Sequence, residues 1–157
     1  MRVGIGYDSH RLVAERPLVL GGVIIPYDRG LEGWSDGDAV THALTDAILG
    51  AAGLGDIGQM FPAENPKWKD ANSLDLLRRA SLKAAEAGFS LVHADITIIA
   101  EAPKLAPHTD AMREQLGEAA IAGFSNVSVK AKTNDGMGFI GRGEGIAVIV
   151  VVLMEER

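Results

Sequence analysis

Residues 146–154 read IAVIVVVLM, nine consecutive apolar side chains, most of them β-branched. The run is far too short to cross a bilayer as a helix, and its β-branched content makes it a strand. Because no polar residue recurs at alternate positions, the strand is expected to be buried on both faces. It therefore belongs inside a sheet, and the rest of the chain must supply what surrounds it.

Working back from this strand, residues 134–145 (NDGMGFIGRGEG) form a glycine-rich loop and VSVKAKT, residues 127–133, a further strand. A helix is expected over about 108–122, ended by Gly123, and another over about 74–87, ended by Gly88. Between them residues 89–100, with ADITIIA, read as a strand. Residues 59–73, polar and holding two prolines, read as an irregular surface segment. In SDGDAVTHALTDAILGAAGLGD, Val40, Leu44, Ala47, Ile48 and Ala51 recur at helical spacing, with Ser35 and Asp38 as a capping arrangement before them. Residues 17–30 read as a hairpin split at Gly21-Gly22, and Val3 to His10 as the first strand. The expectation is one α/β (α+β) domain over 1–157, a mixed sheet of four-stranded type with helices mainly on one face.

The 157 residues carry a net charge of -6, no cysteine and no run of lysine or arginine. Disulfides and thiolate chemistry are excluded, so any metal must be held by histidines and carboxylates. The acidic balance argues against nucleic acid or an anionic membrane as partner. Met1 leads directly into VGIGYD without a basic-then-apolar leader, which makes the cytoplasm the expected compartment.

In GYDSH, residues 6–10, strand alternation puts Asp8 and His10 on one side, with Tyr7 and Ser9 on the other. His42 lies on the first helix with Asp38 one turn before it and Asp46 one turn after. Two histidines and a carboxylate with one coordination position open would make a catalytic metal site, and Asp46 is expected to orient the His42 ring. Asp-x-His alone is a common pattern, and both histidines also read as ordinary polar residues near element ends. In GLGDIG, Asp56 sits between glycines where it could accept from sugar hydroxyls or simply end a helix. Lys130, Lys132, Thr133 and Asn134 suit phosphate oxygens and Asp135 a magnesium-type ion, unless the segment is a solvated hairpin. EAPKLAP, residues 101–107, could read a base edge or serve as a plain connector.

Taken in order, GYDSH, SDGDAVTHALTDAILGAAGLGDIG, FP, ADITIIAEAPKLAPH, KAKT and GFIGRGEGIA resemble the 2-C-methyl-D-erythritol 2,4-cyclodiphosphate synthases of non-mevalonate isoprenoid synthesis. The resemblance spans essentially the whole chain and looks like the monofunctional form. It implies conversion of 4-diphosphocytidyl-2-C-methyl-D-erythritol 2-phosphate to the cyclic diphosphate plus CMP. Asp8, His10 and His42 match the family's zinc ligands, one zinc per subunit, and Asp135 stands where a glutamate binds magnesium or manganese between the CDP phosphates. Thr133 matches a catalytic contact to the phosphates, with Lys132 and Asn134 beside it. Asp56, Ile57, Gly58 and Phe61 match the erythritol site, Ser9 and Ser35 match further substrate-binding positions, and Ala100, Glu101, Ala102, Pro103, Lys104, Leu105 and Ala106 match the cytosine loop.

Two positions depart from the family pattern. Trp34 replaces a usual histidine near the migrating phosphate, and Ala63 replaces an acid, so a working but slower enzyme is expected. A non-catalytic binding module, favoured by Trp34 and Ala63, and a zinc-dependent phosphohydrolase are the competing readings. The resemblance further implies a homotrimer packed through the second sheet face, with active sites between subunits. It also implies a central cavity near Phe139 and Arg142 that accepts isoprenoid diphosphates.

Overall fold

Two glycines decide how the layers meet. In the computed structural model, which describes residues 1–157, strand β1 (Arg2–Ala14) lies directly under helix α1 (Ala39–Ala52). A methyl group at Gly4 would strike the carbonyl oxygen of Ala47, and one at Gly6 that of Ala43. Only hydrogen at these Cα atoms permits backbone-to-backbone contact between strand and helix.

The remaining strands are β2 (Leu18–Leu20), β3 (Val23–Ile25), β4 (Arg29–Leu31), β5 (Phe89–Ile99), β6 (Val127–Lys132) and β7 (Gly145–Glu156). The main sheet has five strands in the order β4-β1-β7-β5-β6, mixed because β5 and β6 run parallel while the other pairs are antiparallel. It exceeds the four-stranded expectation because β1 continues beyond His10, and its last residues, Leu12 to Ala14, pair with the short β4.

The hairpin at 17–30 is present as the separate β2-β3 ribbon. Gly21 and Gly22 make its two-residue turn with φ of 59° and 75°, the doubly positive geometry that suits glycine. Asp38 ties this turn to α1. Its Oδ1 accepts from the Gly21 and Thr41 N–H groups at 2.8 and 3.0 Å, and its Oδ2 from the Gly22 N–H and the Thr41 hydroxyl at 2.7 Å each. Asp38 is thus itself the N-cap, where the sequence suggested Ser35 as cap with Asp38 in the first turn.

The other helices are α2 (Ile57–Met60), α3 (Ser73–Glu86), α4 (Thr109–Ala119) and α5 (Gly138–Gly141). Two of them are single turns inside segments expected to be irregular. Leu44 and Ile48 of α1, Leu77 of α3, Met112 and Leu116 of α4, and Ile96, Ile98, Val148 and Val150 of the sheet join one buried cluster. No helix is long and apolar enough to cross a membrane.

The expectation that IAVIVVVLM is buried on both faces does not hold within one chain. Val148, Val150 and Val152 are buried beneath the helices, whereas Ile149 and Val151 are 39% and 45% exposed. They pair across β1 with Tyr7 and Ile5, and Val3 and Ile5 are each about 70% exposed. The sheet is apolar on both faces, but the helices cover one. An uncovered apolar face of this kind marks an interaction surface.

Candidate active site

Alternation along β1 turns Gly4, Gly6, Asp8, His10 and Leu12 toward the helix layer, and α1 presents His42 to Asp8 and His10 from above. Asp8 Oδ2 lies 2.8 Å from His10 Nε2 and 3.2 Å from His42 Nδ1, and one donor atom from each residue falls within 4.8 Å of the others. His10 Nδ1 donates to the Glu32 carbonyl oxygen at 2.5 Å, so Nε2 is the nitrogen that faces Asp8 and His42, donating to Asp8 when the ring is protonated and offering a lone pair once that proton leaves. Two imidazole nitrogens and a carboxylate converging this closely fit a divalent metal ion, with a further position left for a ligand.

Burial pushes the Asp8 carboxyl up, but the His10 and His42 rings, which donate to it and bear charge when protonated, more than reverse this and hold it at about 2. Burial pulls His10 down, yet the hydrogen bond and charge of Asp8 raise it above 6.5. A proton and a metal therefore compete for His10 Nε2, and the proton wins further as pH falls. Zinc affinity measured by chelator competition should rise between about pH 5 and 8. A flat profile would show that His10 is not a ligand.

Asp46 does not orient His42. It accepts the Ile57 N–H at 2.7 Å, and burial, with smaller contributions from Asp56 and Asp8, raises its pKa despite that bond. His42 Nε2 instead meets Ser73 Oγ at 2.8 Å and Ser35 Oγ at 3.0 Å. Ser73 gave no sign of a site role in the sequence, where it closes the polar segment 59–73; the structure makes it the first residue of α3.

The metal-ligating end opens into a cleft of about 260 Å³ lined by His10, Trp34, Ser35, His42, Ile57, Gly58, Phe61 and Ala63, joined by Trp68 and Leu76. Trp34 is 44% exposed there, and Trp68 stands edge-on to Phe61 with ring centroids 5.0 Å apart. Asp56 starts a helix rather than ending one: as the N-cap of α2 it accepts the Gln59 N–H at 2.8 Å and its side-chain amide at 3.1 Å, while α1 ends at Gly53.

A second cleft of about 280 Å³ collects Ala100, Glu101, Pro103, Lys104, Leu105, Ala106, Lys132 and Thr133. Ala102 joins Pro103 through a cis peptide in the same loop. The Glu101 carboxylate accepts the N–H groups of Asn134 and Gly136, both at 3.0 Å, and so clamps the turn that carries Asp135. Asp135 has φ of 52° and accepts the Thr133 hydroxyl at 3.2 Å. Lys130 points elsewhere, to Asp95 at 2.6 Å.

The two clefts share no residue. The register sets His10 opposite Ile146 and Ile99 opposite Ala147, so the stretches of β1 and β5 that lead to the two clefts lie at the same level of the sheet, about 10 Å apart with β7 between them. Ser9 and Phe139 border a third groove on the other side of His10, where Arg142 is held by Glu144 at 2.9 Å.

Residues 1–155 match the YgbB family. A 2-C-methyl-D-erythritol 2,4-cyclodiphosphate synthase from Symbiobacterium thermophilum is 57% identical over 157 residues, covering both chains completely. Among solved structures, a bifunctional IspDF from Campylobacter jejuni matches with a TM-score of 0.95 at 44% identity. That match covers 99% of this chain and 42% of the bifunctional one, so this chain spans less than half of that protein's length. A 2C-methyl-D-erythritol-2,4-cyclodiphosphate synthase in a CDP-bound form matches with a TM-score of 0.89 at 38% identity, over 98% of this chain and 100% of its own. With the donor set, the clefts and the sheet order all in place, the chain belongs to the YgbB family, the 2-C-methyl-D-erythritol 2,4-cyclodiphosphate synthases.

Proposed function

We infer that this chain is a lyase of the non-mevalonate isoprenoid pathway that closes a diphosphate ring. An oxygen of the 2-phosphate of 4-diphosphocytidyl-2-C-methyl-D-erythritol 2-phosphate attacks the β-phosphorus, the bond from that phosphorus to the CMP oxygen breaks, and CMP leaves. The observation that carries this reading is the converging Asp8, His10 and His42 set at the mouth of a cleft, in a chain 57% identical over its full length to a synthase of that name.

Such a reaction needs little covalent chemistry from protein; it needs the nucleophile folded onto phosphorus and the moving charge neutralised. Zinc held by Asp8, His10 and His42, and magnesium or manganese held by Asp135, would supply that neutralisation. The chain's own contribution is placement. The first cleft, with Asp56, Ile57 and Gly58, takes the erythritol phosphate, and the loop 100–106 takes the cytosine. Glu101 fixes the 134–136 turn so that the Thr133 hydroxyl, Lys132 and Asp135 face the diphosphate. Trp34 offers one indole N–H and carries no charge at any pH, so it can orient a phosphate oxygen but not neutralise it.

The assembly we propose is a homotrimer whose active sites lie between subunits. Its support is the apolar face of β1 and β7, which a sister subunit would cover, and the separation of the two clefts within one chain. Phe139 and Arg142 would then border a central cavity suited to an isoprenoid diphosphate. The chain is read as a single synthase domain working in the cytoplasm.

Phosphorus NMR of the protein with substrate, zinc and magnesium tests the activity. The expected result is CMP together with the coupled pair of resonances of a cyclic diphosphate, both stopped by a chelator. Substrate that binds and persists would favour the binding-module reading, and CMP without a cyclic product would favour the hydrolase.

A further inference from the structure

We propose that Ser73 and Asp36 are positioning residues that set the tautomer of His42, and that metal affinity depends on this relay. The inference rests on the metal reading of Asp8, His10 and His42. Ser73 is fully buried at the start of α3, and its Oγ touches two groups, His42 Nε2 at 2.8 Å and Asp36 Oδ1 at short range. An ionised carboxylate only accepts, so the single hydroxyl proton of Ser73 goes to Asp36. Asp36 is held for that task, since its Oδ2 accepts the Ser73 N–H at 2.9 Å and its Oδ1 the Asp38 N–H at 3.1 Å.

With its proton committed, Ser73 Oγ faces the imidazole as an acceptor, and the short contact requires a hydrogen on His42 Nε2. The Nδ1 lone pair is then free on the side of Asp8, where a metal would sit. This choice opposes the local field, because Asp8 Oδ2 lies only 3.2 Å from Nδ1 and would by itself draw the ring proton there. A ring protonated at Nδ1 cannot ligate through that atom until the proton leaves. The relay from Asp36 through Ser73 therefore prepares the ligand before the ion arrives, and it leaves the Ser35 hydroxyl proton free to point into the cleft.

Two variants of the full chain test the relay. Ser73→Ala removes the acceptor, and Asp36→Ala frees the Ser73 hydroxyl to donate to Nε2 instead. In zinc-free protein at mildly alkaline pH, nitrogen NMR of the His42 ring should report the Nε2–H form for the wild type and a shift toward Nδ1–H for each variant. Chelator competition should show zinc affinity lowered about 10- to 100-fold in Ser73→Ala. An unchanged tautomer in both variants overturns the proposal, even if affinity falls, because the loss would then come from packing. An altered tautomer with unchanged zinc affinity overturns the second half of it. A wild type that shows the Nε2–H form yet takes up no zinc would overturn the metal reading and leave the tautomer assignment standing.

Discussion

His42→Ala is expected to give a folded chain that retains little zinc and makes no detectable cyclic diphosphate. Alanine is the better helix former, and position 42 is only half-buried on a helix otherwise packed on nearly every side, so α1 should survive. The donor set, however, drops from three residues to two on one strand, too few to hold an ion against competing water. Losing several kcal/mol of charge neutralisation at the reacting phosphates corresponds to at least about a thousandfold in turnover. Metal analysis, circular dichroism and phosphorus NMR on one preparation check this. Stoichiometric zinc with turnover near the wild-type level would remove His42 from the site.

The second large effect concerns stability and lies at Asp38. Its carboxylate is fully buried and burial pushes its pKa up, against the pull of the Thr41 and Gly22 hydrogen bonds. All four of its contacts come from donors, two to each oxygen. In Asp38→Asn the NH₂ takes the place of Oδ2, where the Thr41 hydroxyl can turn to accept from it while the Gly22 N–H is left facing a donor, and the remaining oxygen accepts from Gly21 and Thr41 without its charge. A cost of about 2–3 kcal/mol follows, enough to lower the melting temperature by roughly 5–10 °C. Urea unfolding measures it directly, and a loss within about 1 kcal/mol would mean that the Gly21-Gly22 turn finds other acceptors.

Much of this was readable in the sequence, for identifiable reasons. Period-two alternation placed Asp8 beside His10, helical spacing set α1, and Gly21-Gly22 marked the hairpin turn, because each signal is local. What escaped reading was set by tertiary approach. The continuation of β1 to Ala14 depends on β4 being available to pair with it. The partner of His42 is a serine 31 residues away rather than an acid one turn along, and nothing in DANSL announces where that hydroxyl will point. The apolar strand 146–154 misled for a related reason, since its composition reports what both faces are built to meet and not what one chain provides.

The glycines at positions 4 and 6 carry a consequence for how this sequence can drift. They lie on the strand that carries Asp8 and His10, and the helix bearing His42 rests on them without an intervening side chain. The distance from His42 to Asp8 and His10 is therefore set by two missing methyl groups, two and four residues before Asp8. A change to alanine at either place would leave every ligand present and would prise the set open from below. The requirements of this site thus extend to two residues with no chemistry of their own, which serve it by leaving space empty.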